Sequence, residues 1–85
     1  MVTSLVRVAG ENAALVEMLR EPLLEALTGR KRQYAVRVQG IGPMGEVLVS
    51  VTGTRGHVPI LFGRGELDAS HVSAIVGVAV EKNAV

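Results

Sequence analysis

Apolar and polar residues alternate with a period of two through the middle of this chain, and recur at helical spacing on either side of it. Within Gln33–Gln39, Tyr34, Val36 and Val38 point one way and Gln33, Arg37 and Gln39 the other. Val47, Val49 and Val51 repeat the pattern against Glu46, Ser50 and Thr52, and Val58, Ile60 and Phe62 form a third inward set. Glycine-rich stretches, Gly40–Gly45 and Gly53–Gly56, separate these runs and predict turns between antiparallel strands. Pro59 has no N–H to give a ladder, which places the third of these strands at an edge. Ahead of them, Leu5–Ala9 reads as a first strand closed by Gly10. Ala13–Leu27 follows as a helix, with Leu15, Leu19, Leu23, Ala26 and Leu27 at helical spacing and Asn12 as its cap. Glu11, Glu17, Glu21 and Glu25 fall on its solvent side, acid being favoured early by the helix dipole. Gly29 suits the left-handed position just past its end, before Arg30-Lys31-Arg32. Pro22 must kink this helix or split it, and the unbroken phase of the apolar repeat favours one kinked helix.

The last element has Val72, Ile75, Val76, Ala79 and Val80 on one helical stripe, with Asp68 placed to cap it. Its valine content also allows a strand over Ile75–Val80 and a ferredoxin-like ending, but the cap and the stripe favour a helix. The order is then β-α-β-β-β-α. It predicts one α+β domain over residues 1–85, a two-layer sandwich in which two helices cover an antiparallel meander.

Between Asp68 and Glu81 no residue carries a formal charge, so the final helix is built to be covered on more than one side. Composition points the same way. Of 85 residues 48% are hydrophobic and 20% charged, while a monomer of this size buries only roughly 63% of the surface its unfolded chain exposes. The excess apolar surface predicts a homodimer or a subunit of a larger assembly, acting as a non-catalytic protein–protein interaction or adaptor module. Val72, Ile75, Val76, Gly77, Val78 and Val80 are the expected joining surface, or the core just beneath it. Ala74, Gly77 and Val78 present a small-residue face that could meet its mate across a twofold axis. The edges of the first strand and the Pro59 strand are a second place for a partner.

The alternative partner is nucleic acid. Arg30, Lys31, Arg32 and Arg37 cluster around the second strand, with Arg55 and Arg64 in later turns; brought together, they would form a phosphate-contacting rim. The α-β-β-β-α portion is similar in element order to double-stranded RNA-binding domains. It departs from them in placing Glu66-Leu67-Asp68, rather than basic residues, at the start of the last helix. Net charge is only +1.

Chemistry-bearing patterns are weak. Gly40-x-Gly42-x-x-Gly45 matches the dinucleotide fingerprint in letters, but a strand rather than a helix is predicted after it, so it reads as a hairpin connection. Asp68, Ser70 and His71 share one helical turn and cannot align as a triad. His57 and His71 lack converging ligands. No cofactor, metal site or enzymatic activity is expected. The absence of cysteine, of a signal-type N-terminus and of any run approaching the roughly 18 apolar residues of a membrane helix predicts a cytoplasmic protein with no membrane partner.

Overall fold

The computed structural model of the chain describes residues 6–30 and 32–85, so Leu5 of the first predicted strand and Lys31 lie outside it. Its elements are β1 (Val6–Ala9), α1 (Ala13–Leu27), β2 (Tyr34–Ile41), β3 (Glu46–Thr52), β4 (His57–Phe62) and α2 (Ala69–Lys82), with short 3₁₀ turns at Thr28–Arg30 and Arg64–Glu66. The predicted α+β order is present. The four strands form one sheet in the order β1-β2-β3-β4. β2, β3 and β4 are the antiparallel meander, whereas β1 pairs parallel to β2, Val6 opposite Tyr34. The sheet is therefore mixed, and β1-α1-β2 is a crossover unit in which α1 carries the chain back to the start of β2.

Alternation decides what the sheet buries. Tyr34, Val36, Val38, Val47, Val49, Val51, Val58, Ile60 and Phe62 all face the helices and are 9% exposed or less. α1 closes on them with Val16, Leu19, Leu23 and Leu27, and α2 with Val72, Val76 and Val80. The valine-rich last element is a helix because its apolar residues fall on one stripe, which one sheet face can cover. The Asp68 carboxylate accepts the His71 N–H at 3.3 Å, as its capping position requires.

α1 runs unbroken through Pro22, whose ring is buried in the core. Asn12 caps it, its Oδ1 accepting the N–H groups of Ala14 and Leu15. Its far end differs from the sequence expectation. Gly29 does not adopt a left-handed conformation, which among the described glycines is confined to Gly42 and Gly45. The chain instead tightens into the Thr28–Arg30 turn. There the Thr28 hydroxyl donates to the Leu24 carbonyl at 2.6 Å, satisfying an end group that a left-handed glycine would otherwise serve. The first turn of α1 also holds no acid, since Glu11 precedes the cap and Glu17 follows a turn later.

β4 runs parallel to β2 and α2 returns beneath it, so both helices point toward the end of the sheet where β2 begins. Val85, just past the end of α2, is buried there, close to where a side chain at Gly53 would stand.

Candidate functional site

The residues expected to join subunits divide sharply. Val72, Val76 and Val80 are 0%, 0% and 2% exposed and belong to the chain's own core. Ile75 and Val78 stand out at 37% and 62%. Gly77 lies between, and its carbonyl accepts the Arg30 Nη2 at 3.0 Å. Arg30 also donates from Nε to the Ala26 carbonyl and lies 3.5 Å from the Glu81 carboxylate. The flank of α2 at Gly77 is thus held within the molecule, and the exposed residues in the middle of this helix are Ala74, Ile75 and Val78.

The basic residues do not form one rim. Arg30, Arg32 and Arg55 line a single cleft of about 360 Å³ together with Tyr34 and Glu81. Arg37 lies on the open side of β2. Arg64 is at the other end of the sheet, its Cδ 3.3 Å from the position a side chain at Gly45 would take. The reason is topological. Successive turns of a meander alternate between ends, so Arg55 in the β3–β4 turn and Arg64 after β4 are a strand length apart, roughly 20 Å. The end that holds Arg30, Arg32 and Arg55 also receives the C-termini of both helices, where backbone carbonyls concentrate negative charge. Arg30 donates to one of them, the Ala26 carbonyl of α1.

The second face of the sheet, which carries Gln33 and Gln39, also carries apolar residues that were not among the expected joining surface. Both helices lie on the other side, and nothing among the described residues covers this one. Leu48 sits opposite Gln39 on β2 and Leu61 on β4, with Ile41 two residue pairs away on the same face. Leu61 is 59% exposed, Ile41 38%, and Met44 in the adjoining turn 71%. The signal was present: Leu48 and Leu61 occupy outward positions in strands whose outward positions are otherwise mostly polar. Toward the other end, Arg37 is flanked by Ala9 on β1 and Ser50 on β3. These small side chains, with Ala35, Thr52 and His57, leave a shallow trough of about 580 Å³. Neither Arg7 nor Arg37 is paired with another described side chain. The two aromatic rings, Tyr34 and Phe62, are both buried on the helix side, so this face offers no stacking platform.

The remaining chemical groups serve the fold. Gly42 and Gly45, at φ 78° and 84°, shape the β2–β3 hairpin turn, and Glu46 returns its carboxylate to the Met44 N–H. His71 meets the edge of Phe62 at 6.2 Å and lies 3.6 Å from Glu66. Asp68 is used as a cap. Among the described residues no three His, Asp or Glu side chains converge as a metal site, and no helix is long and apolar enough to cross a membrane. Comparisons with family models, with curated proteins and with solved structures give no match for this chain.

Proposed function

We propose that this chain is a non-catalytic interaction module that self-associates or serves as a subunit of a larger assembly, and that the open face of its sheet is the joining surface. One observation carries the reading: a sheet containing a parallel β1–β2 pair has one face covered by its own helices, while the other is bare and carries Leu48, Leu61 and Ile41. A mainly antiparallel sheet that leaves one face to water normally shows polar residues there, and Leu48, Leu61 and Ile41 depart from that. The proposal sets the module in the cytoplasm, in keeping with a chain that has no cysteine.

The test is a charge in the middle of the apolar part. Leu61→Asp leaves the core untouched, because Leu61 is exposed, and it should reduce the molar mass in solution from several chains to one. An unchanged mass would remove the sheet face from the account.

The convergence of Arg30, Arg32 and Arg55 favours nucleic acid as the second reading. That reading requires an affinity for RNA or DNA that falls steeply with salt and is weakened by Arg32→Ala or Arg55→Ala. The helix ends and Glu81 at this cleft offset part of its positive charge, which ranks it second.

A further inference from the structure

The large apolar side chains exposed among the described residues are six, and they fall into two groups on opposite sides of the molecule. Ile41, Met44 and Leu61 belong to the open sheet face and its hairpin turn; Met18, Ile75 and Val78 belong to the helix layer. On α1, Ala14, Met18, Glu21 and Glu25 follow helical spacing on the side away from Leu19, Leu23 and Leu27, and thus point outward from the sheet. On α2, Ala74 and Val78 point outward in the same way, with Ile75 on the flank.

The sheet face carries Arg7 and Arg37 with Glu11 at the trough and Glu46 near Ile41, and the helix layer carries the acidic stripe of α1 with Lys82 at the end of α2. The helix layer presents Glu21 and Glu25, and the sheet presents Arg7 and Arg37; none of the four is paired with another described side chain. A second copy laid sheet against sheet would leave the α1 stripe of Glu21 and Glu25 without a basic partner. A second copy laid with its helix layer on the sheet would set acid against base and apolar against apolar.

We infer that copies of this chain stack head to tail, with the α1–α2 layer of one resting on the open sheet of the next. This rests on the proposed function and names the partner as a second copy, the acidic stripe of α1 meeting Arg7 and Arg37. Each sheet is then covered on both faces. The contact is heterologous, so it leaves one free helix layer and one free sheet at the ends of every stack and propagates until a ring closes.

Two variants, each disabled on a different face, test the arrangement. Arg7→Glu/Arg37→Glu spoils the sheet and keeps the helix layer; Glu21→Arg/Glu25→Arg spoils the helix layer and keeps the sheet. All four positions are exposed, and far-UV circular dichroism checks that both variants fold. Light scattering should find each alone as a single chain, and their mixture as a complex of one copy of each and nothing larger. Loss of association in both without recovery on mixing would overturn the stacking. Loss only in the sheet variant would also overturn it, while leaving the sheet as a joining surface for another contact. Retention of the parent mass by both, and by Leu61→Asp, would overturn the stacking and the proposed function together, as would a parent chain that is a single copy throughout.

Discussion

At Gly10 an added methyl group would lie 2.3 Å from the Val38 carbonyl oxygen, which is backbone and cannot turn aside. Gly10→Ala therefore forces β2 and the start of α1 apart, and should cost about 1–3 kcal/mol in urea denaturation. Gly77 is the opposite case. A methyl group there meets only the Arg30 Nη2, at an ordinary 3.7 Å. Gly77→Ala should raise stability by about 0.5–1 kcal/mol, because alanine loses less backbone freedom in a helix. Arg30 and Arg32 make a similar pair. Arg30 is half-buried and donates to Gly77 and Ala26, so Arg30→Ala should cost about 1–2 kcal/mol. Arg32 is exposed and tied to nothing described, and Arg32→Ala should stay within about 0.5 kcal/mol. If both changed stability equally, the arginines would not have the separate roles described here.

The elements follow their local chemistry closely. Removing the cap with Asp68→Ala should lower stability by about 1 kcal/mol and loosen the first turn of α2, seen as faster amide exchange at His71. Most of this level was legible in the sequence: the strand alternation, the glycine turns, the Asn12 and Asp68 caps and the extent of α1 are all decided by neighbours a few residues apart. Pro59 could be placed at an edge for the same reason, and β4 is an edge strand of the sheet. What was not legible depends on distant pairing. The parallel partnership of β1 with β2 leaves no mark on Val6–Ala9 itself. The uncharged face of α2 carried a further ambiguity: periodicity says that a stripe is buried, not what buries it, and Val72, Val76 and Val80 proved to be covered by the chain's own sheet and α1. The separation of Arg55 from Arg64, by contrast, was available from the alternation of turns in a meander.

For the whole molecule the arrangement of the layers matters more than any one residue. Both helices run toward one end of the sheet, and the chain puts Arg30, Arg32 and Arg55 at that end and Asp68 and Glu66 near the other. Arg30 and Asp68 thereby stand at the helix ends whose dipoles favour their charges, while Glu81 and Arg64 partly offset each end. The helices leave one sheet face bare, and the positive mean hydropathy of the chain follows in part from apolar residues spent on that face rather than in the core. Exposed apolar surface of this kind supports the proposed contact with another protein surface. The direct measurement is the molar mass of the parent chain by light scattering over a wide range of concentrations. A mass above one chain that grows with concentration is the predicted result. A mass of one chain at every concentration would contradict the account.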